Sequence, residues 1–347
     1  MDRIFDPSGV AAKGALFGLP YTLENADLVL IPVPWEVTAS YGAGTSHGPL
    51  AILEASSQVD LSLKAVFEPW GFKVAMQNIP METLEQSNKL KSQASQIIEY
   101  LESSTAPMTP EMESLQEQIN SDCDNLHQHI YRQAKELIGK GKVVAIVGGD
   151  HSTPLGLISA LSEVHDFGIL QFDAHMDLRQ SFEGFTYSHA SIMRNAIDLP
   201  GVKSLTQIGI RDFCQEELDF IEECQKEINV YYDEDIQSQL FNGENFSEIA
   251  SQIVAKLPEK IYISFDIDGL DPSLCPNTGT PVPGGLSFNQ AYFILLAVVQ
   301  SQRTIIGFDL NEVSPGNDNW DANVGARLLY RLTTLTGVSN DFLEFAE

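Results

Sequence analysis

Basic residues are scarce: 20 Lys and Arg stand against 48 Asp and Glu in 347 residues, a formal net charge of −28. So acidic a chain repels nucleic acid and anionic membranes, which are held through Lys and Arg, so neither is expected as a partner. The charge suits solubility and favours cationic small molecules. Long apolar runs are missing as well. None approaches the about 18 residues of a membrane span. The start, Met1-Asp-Arg-Ile-Phe-Asp6, has no apolar signal core. Cysteine is rare: Cys123, Cys214, Cys224 and Cys275 make no C-x-x-C pair, which excludes a zinc ribbon or a dithiol redox motif. The expected location is the reducing cytoplasm. What is present, 43% apolar residues with ordinary Gly and Pro, is the composition of a globular chain with a large core.

The apolar residues are grouped rhythmically. Residues 26–34 (ADLVLIPVP) read as a first buried strand, followed by a Gly-rich loop over 40–48 and a helix near Pro49, which suits a first helical turn. From about 86 to 139 the chain is polar, rich in Glu, Gln and Ser, and helical by period, with a break at 105–110 (TAPMTP). This stretch is read as a mostly helical insertion within one domain spanning 1–347. From Lys142 onward, strand-like runs at 143–147, 169–172, 204–208, 228–232, 261–265 and 304–308 alternate with helical patterns such as 215–226, 247–257, 288–300 and 324–334. Buried strands alternating with helices imply an α/β fold, a parallel sheet covered on both faces.

The chemistry sits where strands end. Asp173-Ala-His175-Met-Asp177 and Asp266-Ile-Asp268 each follow an apolar run. On an extended backbone, every second side chain points the same way, so each segment presents a row of hard ligands at the C-terminal end of a strand. His151, in Gly148-Gly-Asp-His-Ser152, takes the same place on its own strand, after two glycines expected to let the backbone turn sharply. No G-K-[ST] follows those glycines, which excludes a phosphate loop. The segment from Asp266 to Asp271 lacks the oxygen ligand, glycine and glutamate of a calcium loop, and Asp271, before Pro272, is expected to shape a turn. His151, Asp173, His175, Asp177, Asp266 and Asp268 are too many for one ion and suit two divalent ions. The oxygen-rich set favours Mn2+ over Zn2+, with Ni2+ or Co2+ admitted. Such a pair lowers the pKa of a bound water, which suits hydrolysis.

With these motifs, GGDHS at 148–152, DAHMD at 173–177 and SFDIDGLDP at 264–272, the chain resembles the ureohydrolase family of arginases, agmatinases and formimidoylglutamases over roughly its whole length. The resemblance implies a three-layer αβα sandwich around a mainly parallel sheet, and a homo-oligomer, trimer or hexamer. It implies that His151 and Asp177 hold one ion and His175 and Asp268 the other, that Asp173 and Asp266 bridge them, and that Asp177 orients the nucleophilic water. Glu312 matches the family's guanidinium-holding glutamate, and His189 its proton-shuttling histidine.

The substrate is less defined. Cys214 stands where the family's arginine-specific members carry an acidic residue, and the loop after Asp177 lacks their carboxylate-holding polar set, so arginine is disfavoured. The segment 32–42 (PVPWEVTASYG) is similar to that of the agmatinase-like branch that includes guanidine hydrolases. Thr38, Ser40 and Tyr41 are expected to narrow the pocket for agmatine or guanidine. Arg179, two residues beyond Asp177, either pairs with a substrate carboxylate, as in formimidoylglutamases, or with Glu183. With all six ligand positions filled, a non-catalytic metal-binding member is the least favoured reading.

Overall fold

Pairing the apolar runs side by side produces one eight-stranded sheet in the computed structural model, which describes residues 5–39 and 41–346. The strands are β1 (Leu28–Val33), β2 (Val74–Met76), β3 (Val143–Gly148), β4 (Phe167–Phe172), β5 (Val202–Ile210), β6 (Glu227–Tyr232), β7 (Lys260–Asp266) and β8 (Thr304–Asn311). Their order across the sheet is β2-β1-β3-β8-β7-β4-β5-β6, and every neighbouring pair is parallel. The expected mainly parallel sheet is therefore parallel throughout. Edge strand β2 is the one that periodicity did not indicate: three residues are too short to show alternation.

Both faces of the sheet are covered, so the strands are apolar on both sides. Along β3, Ala145 and Val147 face one core with Leu30, Phe265 and Leu310; Val144 and Ile146 face the other with Ile31, Ile169 and Tyr262. Helices Gly48–Ser56, Phe246–Ala255, Phe288–Gln300 and Trp320–Ser339 close the first core through Ile52, Ile253, Leu295 and Leu329. Helices Met81–Ser103, Pro110–Gly139, Leu155–Ser162 and Ile192–Ile197 close the second through Leu90, Ile119, Leu157 and Met193. The result is three layers, αβα.

Helices Met81–Ser103 and Pro110–Gly139, which span the polar stretch, thus form part of the second outer layer. The break between them, residues 104–109, is non-helical, and the second helix starts under a cap. Thr109 caps the longer helix by accepting a hydrogen bond from Met112 N–H at 3.3 Å, and Pro110 occupies the first turn, where a missing N–H costs nothing. Among the described residues, no helix is long and apolar enough to cross a membrane.

The topology decides where the site lies. β3, β8, β7 and β4 are consecutive in the middle of the sheet. Because they are parallel, His151, Glu312, the pair Asp266 and Asp268, and the Asp173–Asp177 row all emerge at one edge. Gly148, the last residue of β3, and Gly149 serve this assembly by close approach, and neither has positive φ. A Cβ on Gly148 would lie 1.7 Å from Asn311 Oδ1, and one on Gly149 1.9 Å from the Trp35 carbonyl oxygen. The ends of β3 and β8 and the loop after β1 pack too closely for a side chain at either glycine.

Candidate metal centre

The six expected ligands converge as two histidine-centred groups sharing one carboxylate. Nδ1 of His151 lies 3.0 Å from Asp173 Oδ2, 3.0 Å from Asp177 Oδ2 and 3.4 Å from Asp266 Oδ2. Nδ1 of His175 lies 3.1 Å from Asp268 Oδ2 and 3.6 Å from Asp173 Oδ1. Asp173 therefore turns one oxygen to each histidine, the disposition of a bridging carboxylate. The clusters His151–Asp173–Asp266 and Asp173–His175–Asp268 each bring their ligand atoms within 4.8 Å of one another.

Local hydrogen bonds hold this arrangement. His175 N–H donates to Asp173 Oδ1 at 2.7 Å and Asp268 N–H to Asp266 Oδ1 at 2.8 Å. These are turns closed by a side chain on its own backbone two residues on. Ala174 N–H donates to Asp268 Oδ1 at 3.0 Å, tying the loop after β4 to the loop after β7. Asp177 and Glu312 both adopt left-handed backbone, φ 56° and φ 62°, a conformation costing a non-glycine residue about 1 kcal/mol or more.

Behind the ligands lies a buried polar layer that the sequence reading did not single out. The imidazole of His151 meets Ser264 Oγ at 2.8 Å through Nε2, and Ser264 donates in turn to Asp309 Oδ1 at 3.0 Å. Gln171 Nε2 donates to Asp173 Oδ2 at 2.7 Å, and Gln207 Nε2 donates to Gln171 Oε1 at 2.6 Å. Their signal was available: Gln171, Gln207, Ser264 and Asp309 are polar residues inside otherwise apolar strands, where they must find partners.

The electrostatics are those of a cation site. Burial, then the Asp173 charge, push the Asp177 carboxyl up to about 7. Burial, then Asp268 and Asp173, hold Asp266 well above the usual carboxylate range. Burial opposes charge on His151, yet contacts to Asp173 and Asp177 outweigh it and raise this histidine. For His175, burial is outweighed by Asp268 and Asp173. Burial likewise opposes ionisation of Asp173, which His151 and His175 nonetheless hold well below its ordinary value. The donor set fits two divalent ions on a further ground: His151 Nδ1 is buried among three carboxylates and makes no hydrogen bond. Because Ser264 donates to Asp309, its Oγ can only accept from Nε2–H, which leaves Nδ1 as the nitrogen that would ligate an ion held by these carboxylates.

Beside the cluster opens a cavity of about 170 Å³ lined by His175, Asp177, Arg179, His189 and Thr280, with Phe182 and Phe213 as aromatic walls. The half-buried His189 stands edge-on to Phe182, ring centroids 5.8 Å apart, with Nδ1 3.3 Å from Ser188 Oγ. Burial, then His175 and His151, push its pKa down to about 4. Glu312 lies behind the lining. Its Oε1 accepts from His151 N–H at 2.8 Å, and its carbonyl accepts from Thr278 Oγ1. Burial, then Asp150, push its carboxyl well up.

The remaining expected residues are placed differently. Arg179 lines the cavity with its guanidinium 5.2 Å from the Phe182 ring, and among the described residues it makes no ion pair, with Glu183 or any other acid. Glu183 occupies a tight turn outside the lining, and its buried Oε2 has no partner among the described residues. Tyr41 is 85% exposed. Its loop closes on Glu36, which accepts from Gly44 and Ser46 N–H, and this leaves the ring in solvent. Thr38 is buried off the cavity, its hydroxyl without a partner among the described residues. Ser40 lies outside the described residues. Asp271 closes a turn by accepting from Ser273 N–H at 2.8 Å.

Comparison with known proteins identifies the family and the fold. The sequence model described as "Arginase family" matches residues 26–334. The chain is 31% identical over 328 residues to the N(1)-aminopropylagmatine ureohydrolase of Thermus thermophilus, covering 93% of this chain and 94% of that protein. It is 30% identical over 321 residues to the N(1)-aminopropylagmatine ureohydrolase of Synechocystis sp., covering 91% and 90%. Its fold matches the crystal structure of agmatine ureohydrolase of Thermoplasma volcanium with a TM-score of 0.71 at 21% identity, over 95% of this chain and 96% of that one.

Proposed function

The chain belongs to the arginase family of ureohydrolases, and we propose that it hydrolyses one C–N bond of a small guanidino compound, agmatine or free guanidine. Urea leaves with an amine or with ammonia. The observation carrying this reading is the pair of histidine-centred carboxylate groups joined through Asp173. The names of the relatives, built on agmatine and its aminopropyl derivative, favour a guanidinium substrate.

His151 and Asp177 would hold one divalent ion, His175 and Asp268 the second, and Asp173 and Asp266 both. Oxygen predominates among the donors, so Mn2+ is preferred and Ni2+ is second. When bound, the ions supply a water acidified to near neutral pH and positive charge for the tetrahedral transition state. The protein's own groups do the rest. Glu312, its Oε1 fixed by His151 N–H, receives the planar guanidinium through charge-assisted hydrogen bonds. The bound cation offsets the burial that otherwise protonates this carboxyl. His189, uncharged at neutral pH, relays a proton to the leaving nitrogen. Phe182 and Phe213 limit access of bulk water.

A second reading rests on Arg179. A cation on the cavity wall without an ion pair among the described residues matches a substrate carboxylate, as in N-formimidoyl-glutamate, which would release formamide. Assay of the Mn2+- and Ni2+-loaded protein with agmatine, guanidine, arginine and formimidoyl-glutamate separates these. Urea from agmatine or guanidine supports the first reading. Formamide from formimidoyl-glutamate, with no urea from the others, replaces it with the second.

A further inference from the structure

The loop that carries Arg179 and His189 folds back as a hairpin. Phe182 and Phe185 exchange two backbone hydrogen bonds, 3.1 and 2.9 Å, across Glu183 and Gly184, both at positive φ (53° and 80°). Two successive left-handed residues make a type I′ turn, which only glycine enters without strain. Phe185 is fully buried and anchors the hairpin in the second core. Phe182 lies between Arg179 and His189, 5.2 Å from the guanidinium and 5.8 Å from the imidazole. Wherever the turn sits, Phe182 follows, and both cavity residues pack on Phe182.

The turn is held from outside by the helical insertion. Gln116 and Asn120 lie one turn apart on helix Pro110–Gly139 and so share a face. Gln116 Nε2 donates to the Glu183 carbonyl at 3.0 Å. Asn120 makes a reciprocal pair: Nδ2 donates to the Gly184 carbonyl at 3.1 Å and Oδ1 accepts from Thr186 N–H at 3.0 Å. The contact is close: a Cβ on Gly184 would lie 2.1 Å from Gln116 Nε2 and would displace that amide. Farther along the same helix, buried His127 packs edge-on against Tyr187, two residues before His189. Three backbone groups of an exposed turn are thus matched by two side-chain amides 64 or more residues away.

We propose that Asn120, assisted by Gln116, is a positioning residue for the reaction. It fixes the 182–186 hairpin on the insertion and thereby sets His189 and Arg179 at the cavity. The inference rests on the proposed role of His189. A small displacement of a positioned group lowers turnover by up to about 100-fold, and residues acting through one another are non-additive.

The test is a double-mutant cycle with a structural readout. Asn120→Ala, Gln116→Ala, His189→Ala and the Asn120→Ala/His189→Ala pair are assayed for kcat and KM on the preferred guanidino substrate, with metal content measured. Hydrogen exchange of segment 182–189 is followed by mass spectrometry in each. Asn120→Ala is expected to lower kcat about tenfold with KM changed less than about threefold, and to lower it less than about twofold when His189 is already alanine. Exchange of 182–189 should quicken while that of 143–151 stays unchanged, and Gln116→Ala should show the same pattern more weakly. Unchanged exchange, or an equal loss of kcat in both backgrounds, overturns the proposal in favour of a general packing role. Quickened exchange in a protein whose wild type hydrolyses no guanidino compound upholds the anchoring and instead removes the proposed function.

Discussion

Ser264 holds His151 from behind: Nε2 and Oγ are 2.8 Å apart, and Ser264 is itself oriented by donating to Asp309. The consequence is that Nε2 is committed to Ser264, which leaves Nδ1 as the nitrogen that would ligate an ion. Ser264→Ala removes the acceptor and frees the ring. Metal affinity should fall about 10- to 100-fold, with activity recovered at high metal concentration. Titration of the stripped protein with Mn2+, read by activity, checks this. An unchanged midpoint would leave Ser264 a bystander.

The shared carboxylate geometry predicts how ligand loss propagates. His175→Ala and Asp266→Asn should each abolish metal-dependent turnover, and each should lower the metal bound below two ions per chain. Elemental analysis beside the assay reads both effects. Wild-type turnover in either variant would remove the assignment of that residue.

Arg179 distinguishes the substrates. It stands on the cavity wall with no ion pair among the described residues, so it disfavours a second positive charge on a bound ligand by about 1 kcal/mol at this partly exposed position. Arg179→Leu should therefore raise kcat/KM for agmatine about fivefold. Free guanidine, which has no tail, should change by less than about twofold. A large loss on an acidic substrate would reveal a carboxylate partner.

His127 predicts a pH dependence of stability. It is buried, and burial pushes its pKa down to about 4 from the ordinary 6.5. The folded value is the depressed one. At pH 7 the ring is neutral in both states, so nothing is lost. As pH falls from 6.5 towards 4, the unfolded chain takes a proton that the folded chain refuses, and stability drops by roughly 3 kcal/mol from this group. His127→Phe should flatten that slope. Urea denaturation of both proteins in chelator at pH 7 and pH 5 measures it, and equal losses in the two would contradict it.

Much of this was legible in the sequence for a physical reason. Asp173, His175 and Asp177, and likewise Asp266 and Asp268, were legible as ligand-type residues directly after apolar runs, but extended backbone does not align them: β4 ends at Phe172, Asp173 and Asp266 close turns on their own backbone, Asp268 lies in a 3-10 turn and Asp177 is left-handed. What the sequence hid were relations across long separations. The closeness of Gly149 to Trp35 looks, in sequence, like a turn glycine. Asn120 and Gln116 look like solvated positions on a polar helix, and only the folded chain brings them to residues 183–186. Tyr41 illustrates the converse: a residue in a suggestive segment, carried into solvent because its loop closes on Glu36. β2 and the helix Ile192–Ile197 were too short for any period to show.

The binuclear reading stands or falls on urea release counted against bound metal. Protein carrying two Mn2+ per chain, and the same protein stripped by chelator, are each given agmatine and then guanidine. The expected result is urea from at least one substrate with the loaded protein and none with the stripped one. No urea from either at full loading, or undiminished urea after stripping, would contradict it.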